Sequence, residues 1–279
     1  MTGGADVVTI DYEDGIAWVS LNRPEKRNAM NPAINKRMHT VLDEIEEDER
    51  CKVMVLTGAG DSFAAGMDLQ EYFRDTAAKG YLAIRRSQRD SYGWFNRLRW
   101  LEKPSIAMVN GWCFGGAFGP LYSCDLAIAA EEATFGISEV NWGIIPGGNV
   151  TKIAADLMRN RDGMYYILTG EPFDGKKAAE LGLVNKAVPL SELRGEVERL
   201  AKVLMAKNPM VLKAAKDAYR RVMEMPYEAA GEYLVAKQEQ LNFLDKTHGR
   251  LQGMKQFLDE KSFRPGLGTY DVNADEDKK

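Results

Sequence analysis

Glu139 is the only acid in the stretch FGISEVNWG at 135–143, and that isolation makes it a candidate for proton transfer. A carboxyl buried among apolar and neutral neighbours holds its proton closer to neutrality, which suits general acid–base work. The same spacing also fits a glutamate in a surface loop. Two glycine-rich stretches, TGAG at 57–60 and CFGGAFG at 113–119, each follow a predicted strand and put small residues where a backbone N–H can approach a ligand. Phe63 stands where a dinucleotide fingerprint needs its third glycine, and neither stretch ends in the Gly-Lys-Ser/Thr of a phosphate loop. Tight turns before buried helices are the other reading of both.

Other chemistries lack parts. His39 and His248 are far apart, each on a predicted helix and expected at its surface, which leaves no His-based metal site and no Ser-His-Asp relay. Cys51, Cys113 and Cys124 show no CxxC spacing, as expected of reduced thiols rather than a zinc cluster or a disulfide framework. Lys plus Arg number 37 against 41 Asp plus Glu, and the net charge of −4 with no long basic stripe argues against nucleic-acid or membrane-surface partners. A small molecule is the expected partner. The start, MTGGAD, has no charged-then-apolar signal pattern, and no run approaches the roughly 18 apolar residues of a membrane span, so a cytoplasmic location is expected.

The elements that must position these residues alternate. Apolar alternation at 7–12 and 16–21, broken by Glu13, Asp14 and Gly15, predicts a β-hairpin. Asn31 as N-cap, Pro32 at the first helical position, and Ile34, Met38, Val41, Leu42 and Ile45 at helical spacing predict an amphipathic helix ending near Asp48. The run 53–56 reads as a strand buried on both faces, 68–101 as a helical segment, 105–109 and 126–129 as strands, and 184–188 as the last strand. Helices are predicted at 148–158, 161–169 and 176–181. From Ser191 the pattern is helical, split at Asn208-Pro209, at Pro226 and near His248-Gly249. The fold class is α/β with a trailing helical lobe, which either covers an active site or docks onto another subunit.

Several motifs in order carry a resemblance to a known family: LNRPEKRNAM at 21–30, FAAGMDL at 63–69, AMVNG at 107–111 with Gly115 and Gly116, and CDLA at 124–127. The chain resembles the crotonase, or enoyl-CoA hydratase/isomerase, superfamily over residues 8–263. The resemblance implies a ββα spiral core over 1–190, a helical trimerisation or lid region over 191–265 and a flexible acidic tail over 266–279. It implies an acyl-CoA thioester as substrate, no cofactor beyond its coenzyme A moiety, and a homo-oligomer that is a trimer or a dimer of trimers. By position, the backbone N–H groups of Met67 and Gly116 would hold the thioester oxygen, and Glu139 would be the acid/base. An enolate forming beside a thioester needs such preplaced donors.

Within that superfamily, AGMDLQEYFR at 65–74, NGWCFGG at 110–116, SEVNWG at 138–143 and FLDEKS at 257–262 resemble the hydroxycinnamoyl-CoA, or feruloyl-CoA, hydratase-lyases. The likeness implies hydration and retro-aldol cleavage of a hydroxycinnamoyl thioester to an aromatic aldehyde and acetyl-CoA. Tyr72 would contact the ring phenol, with Trp142, Ala65 and Asp68 also on the substrate, and Lys26, Arg27 and Lys261 would meet coenzyme A. Three positions depart from the pattern. Gly119 stands where these lyases carry Ser or Thr and where two-carboxylate hydratases carry a glutamate. Val235 stands where a second tyrosine is expected, and Ile145-Pro146 replaces a Pro-Pro pair. Because Gly119 and Val235 fall at the aromatic end of the implied pocket, ring recognition is expected to differ from that of the usual lyases. The competing functions are an enoyl-CoA hydratase or isomerase acting on another acyl group, and a non-catalytic binding protein of the same fold. Arginines and aromatics interleave over 81–100, and some crotonase relatives bind RNA, but the net charge of −4 opposes that reading here.

Overall fold

The computed structural model describes residues 6–264, 266 and 268–274, so the expectations for the N-terminal five residues and for 267 and 275–279 of the acidic tail lie outside the described residues. The predicted hairpin forms: β1 (Val8–Glu13) and β2 (Ile16–Leu21) pair antiparallel around Asp14 and Gly15, both at positive φ as a tight two-residue turn requires. All six residues of β3 (Val53–Gly58) are buried. This strand lies parallel to β2, as strands covered on both faces do.

A second sheet has no counterpart among the strands predicted from sequence. Its members are β4 (Ser62–Ala64), β6 (Trp112–Phe114), β8 (Thr134–Gly136) and β9 (Pro172–Asp174), in that order, with only the last pair antiparallel. Three residues are too few to display a period of two, so pattern reading passes over them. The first sheet continues through β5 (Ser105–Val109), β7 (Leu126–Ala130) and β10 (Lys186–Val188), giving the order β1-β2-β3-β5-β7-β10. The chain thus steps three times from the large sheet to the small one, at β3 to β4, β5 to β6 and β7 to β8. Two of these corners require glycine: a Cβ on Gly58 would stand 2.0 Å from the Ser62 carbonyl oxygen, and one on Gly111 1.8 Å from that of Asp61.

Helix α1 (Pro32–Glu47) starts as the sequence predicts, with the Asn31 side chain accepting from the Ile34 N–H at 2.9 Å and Ile34, Met38, Val41, Leu42 and Ile45 buried. The single helical segment predicted over 68–101 is instead broken into a π-helical turn (Leu69–Arg74), α2 (Asp75–Ala78) and α3 (Tyr81–Arg99). Gly80, at φ +87°, has left-handed backbone that cannot propagate a right-handed helix. His39 on α1 is also not a surface residue: it is half-buried, with Nε2 2.9 Å from the Asp90 carbonyl oxygen of α3, because those helices pack together. His248 is exposed. The remaining helices of the core are α4 (Phe118–Ser123), α5 (Val150–Leu157), α6 (Asn160–Thr169) and α7 (Gly175–Glu180).

The chain divides into two compact units, Met1–Arg199 and Leu200–Lys279, with α8 (Leu190–Met205) running through the boundary. In the second unit α9 (Pro209–Val222), α10 (Tyr227–Leu244) and α11 (Gly249–Leu258) break where the sequence predicts. Asn208 caps α9 by accepting from the Met210 and Val211 N–H groups, and Asp245 ties Asn208, Thr247 and the Gly249 N–H together. All three cysteines are buried thiols outside any disulfide, and no helix among the described residues is long and apolar enough to cross a membrane.

Candidate active site

The small sheet builds the site from its strand ends. Beyond β4 come Ala65, Gly66 and Met67, beyond β6 come Gly115 and Gly116, and beyond β8 comes Glu139. Parallel pairing of β4, β6 and β8 sends all three loops out on one side. The loops meet there: a Cβ on Gly116 would lie 3.4 Å from the Met67 nitrogen, and one on Gly115 would lie 2.9 Å from Oε1 of Glu139. The φ of +48° at Gly115 is left-handed, and a side chain there would push the end of the Glu139 side chain away, so glycine lets the carboxyl lie close to this backbone.

Met67 is held with its own N–H out of the hydrogen-bond ladder. The parallel bridge between Met30 and Met67 is made by the Met30 N–H to the Gly66 carbonyl at 2.8 Å and the Asp68 N–H to the Met30 carbonyl at 3.0 Å. Those bonds engage the residues flanking Met67 and leave its amide pointing elsewhere. Gly116 lies in the first turn of the helical run formed by Gly115–Ala117 and α4, where N–H groups have no partner within the helix and the dipole is positive. The two backbone nitrogens are therefore close neighbours, and a pair of donors free of the hydrogen-bond ladder is what an oxyanion site needs.

Glu139 opens the 3₁₀ turn Glu139–Trp142 and is half-buried, with Oε2 buried and without a hydrogen-bond partner. Burial pushes its carboxyl above the ordinary glutamate value, and its own backbone N–H offsets this only in part. A partly desolvated carboxyl with one oxygen open, set against Gly115, is suited to exchanging a proton rather than to holding structure together.

Asp68 has the opposite character. Its carboxylate accepts from the Gln70 and Glu71 N–H groups at 3.0 and 2.8 Å and pairs with Arg23 at 3.1 Å. Burial pushes it up, but the Glu71 N–H and the Arg23 guanidinium outweigh that and hold it below its usual range. Arg23 is itself 8% exposed and reaches the Ala29 carbonyl at 2.7 Å and Glu71 at 2.7 Å, while Asn31 donates to the other Glu71 oxygen at 2.7 Å. This network locks the turn that follows Met67. Arg23 is a positioning residue that motif reading leaves without a role, although it lies inside LNRPEKRNAM.

The other expected residues are distributed as follows. The Ala65 N–H donates to the Arg27 carbonyl at 2.8 Å, and Arg27 is exposed with its guanidinium 4.1 Å from the Trp112 ring centroid. Lys26 is exposed at the end of the turn Pro24–Lys26. Tyr72 is buried, its hydroxyl 3.0 Å from Ser91 Oγ of α3, a partner with no signal in the sequence. Trp142 is 66% exposed. Gly119 is buried, and a Cβ there would stand 2.7 and 2.9 Å from two ring carbons of Phe95. Val235 is exposed on α10 and Lys261 follows α11; both belong to the second unit.

Fold and site together define an acyl-CoA enzyme of the hydratase/isomerase class, and comparison with known proteins agrees. The model of the enoyl-CoA hydratase/isomerase family matches residues 11–264. The chain belongs to that family. It is 54% identical to a hydroxycinnamoyl-CoA hydratase-lyase of Pseudomonas fluorescens over 94% of this chain and 96% of that one. It is 33% identical to a short-chain-enoyl-CoA hydratase of Clostridium acetobutylicum over 91% of this chain and 95% of that one. Among solved structures, an enoyl-CoA hydratase from Bacillus anthracis superposes with a TM-score of 0.81 at 27% identity, covering 95% of this chain and 99% of that one.

Proposed function

We propose that the protein hydrates a hydroxycinnamoyl-CoA thioester and cleaves the product by a retro-aldol step into an aromatic aldehyde and acetyl-CoA. The observation that carries this reading is the open Oε2 of Glu139, in a carboxyl set against Gly115 and so next to the neighbouring Gly116 and Met67 backbone, in a chain 54% identical to a hydroxycinnamoyl-CoA hydratase-lyase. The two N–H groups receive the thioester oxygen. Glu139 takes a proton from water as the oxygen of that water bonds to the β-carbon, the electron pair moves to the thioester oxygen as an enolate, and Glu139 returns the proton to the α-carbon. Glu139 then removes the proton of the new β-hydroxyl. The carbon–carbon bond breaks, the aldehyde leaves, and the acetyl-CoA enolate collects its proton from the same carboxyl.

One carboxyl suffices because the two steps use it alternately as base and acid. Nothing in this sequence calls for a cofactor beyond the coenzyme A of the substrate, and Lys26, Arg27 and Lys261 are proposed to meet that moiety. Ala65 and Trp142 are proposed at the substrate, and Asp68 acts there through the turn it caps. Tyr72 is proposed to meet the ring hydroxyl: with Ser91 taking one of its hydrogen bonds, the phenol keeps capacity for another. A cytoplasmic setting fits reduced, buried cysteines.

The test is incubation with feruloyl-, coumaroyl- and crotonyl-CoA followed by product identification. Aldehyde and acetyl-CoA from the first two are expected. Hydration of crotonyl-CoA with no cleavage of either aromatic thioester would replace this reading with that of a simple hydratase.

A further inference from the structure

Gly119 follows Gly116 by one helical turn, so the two α-carbons look out from the same face of the helical run. The Gly116 side of that face meets Met67, with a Cβ there 2.9 Å from Met67 Cγ. The Gly119 side meets the ring of Phe95, which approaches a Cβ at that position to 2.7, 2.9 and 3.2 Å. The ring therefore already fills the volume into which any side chain at 119 would project. It cannot step back cheaply: Phe95 packs edge-on against Trp94 at 4.4 Å between centroids, and Trp94 is fully buried with its Nε1 donating to Asn35 at 2.9 Å. Phe95 itself is 8% exposed.

We propose that Phe95, seated on Gly119 one turn beyond the Gly116 amide, is the specificity-determining wall of the acyl pocket and selects flat, conjugated aryl-propenoyl thioesters over flexible alkyl-enoyl ones. The inference rests on the proposed function and deepens it. A ring held by backbone on one side and an indole on the other is a rigid apolar surface, and a planar aromatic acyl group gains ring contacts on it that a short alkyl chain does not. The wall also offers no hydrogen-bonding group, so Glu139 remains the carboxyl for both the hydration and the cleavage.

Two readouts test this. Phe95→Leu keeps an apolar side chain but loses the aromatic plane; the ratio of kcat/KM for coumaroyl-CoA to that for crotonyl-CoA should fall at least about tenfold, while a purely structural role would lower both alike. Gly119→Ala should cost more than about tenfold in kcat/KM in the wild-type background and less than about threefold in the Phe95→Leu background, since the branched side chain can yield to the new methyl. An unchanged ratio in Phe95→Leu, or an equal cost of Gly119→Ala in both backgrounds, overturns the proposal. If the wild-type protein fails to cleave coumaroyl-CoA, the proposed function fails instead, and the two-background comparison is read on crotonyl-CoA by the same criterion. Should Gly119→Ala not fold, the substrate ratio of Phe95→Leu decides alone.

Discussion

Glu139 combines two demands that conflict. Catalysis wants a carboxyl with an open oxygen and a raised affinity for its proton, whereas the fold gains nothing from a buried acceptor without a donor. The Glu139→Gln variant separates the two. It keeps the shape and loses proton exchange, so kcat should drop by about 10²–10⁴ with thioester binding retained. The wild-type acid limb in kcat/KM should lie above the ordinary glutamate value of 4.5, because rate follows the ionised form. A folded-state value raised above the unfolded one means that the folded protein binds the proton more tightly, so this contribution to stability is complete below the ordinary value and is lost as pH rises through the raised one. Melting temperatures of wild type and Glu139→Gln should therefore converge in acid and separate towards neutral pH, the variant being the more stable. A variant that melts below wild type at neutral pH would show that Glu139 has a structural partner.

At the scale of elements, the turn carrying Met67 depends on charge buried behind it. Arg23 sits between Asp68 and Glu71 with its side chain about as buried as that of Asp68, at 10% and 9% exposure. Removing one member of a buried pair leaves the other uncompensated, at a cost of about 3–5 kcal/mol. Arg23→Ala should lose about that much in urea unfolding, and its residual activity should show a fall in kcat larger than any rise in KM, since the Met67 amide matters most when charge develops on the thioester oxygen. A loss near that of a surface pair, below about 1 kcal/mol, would mean that the turn is held by its cap alone. The hairpin, α1 and the breaks between the C-terminal helices were legible in sequence because each carries a periodic pattern or a capping residue with a mechanism. The small sheet was not legible, and neither was the break at Gly80, because three-residue strands and a turn of π-helix have no period to detect.

At the scale of the molecule, α10 is the element with least reason to stand alone. Among its described residues none is buried, and Tyr227, Val235 and Phe243 are 90%, 67% and 76% exposed. Apolar surface of this extent on a helix is the mark of an interface, and we expect a trimer or a dimer of trimers. Sedimentation at micromolar concentration should give a homo-oligomer, and replacing Tyr227 and Phe243 by Asp should shift it towards smaller species without altering the melting of the first unit. A stable wild-type monomer would remove this expectation.

The sequence by itself determined the family, the α/β class and the candidates Met67, Gly116 and Glu139, because motif order and the types of residue at a few turns survive without coordinates. It also located the departure at Gly119, but it gave that glycine no neighbour. Tertiary structure decided what fills the missing side chain, what holds the Met67 turn and whether Glu139 is a loop residue or a desolvated acid. Phe95 and Gly119 are far apart in the chain, as are Arg23 and Asp68, and Gly115 takes its meaning from a carboxyl in a different loop. Each of these contacts depends on how strands and helices distant in the chain are brought together, and no local pattern of apolar and polar residues records that.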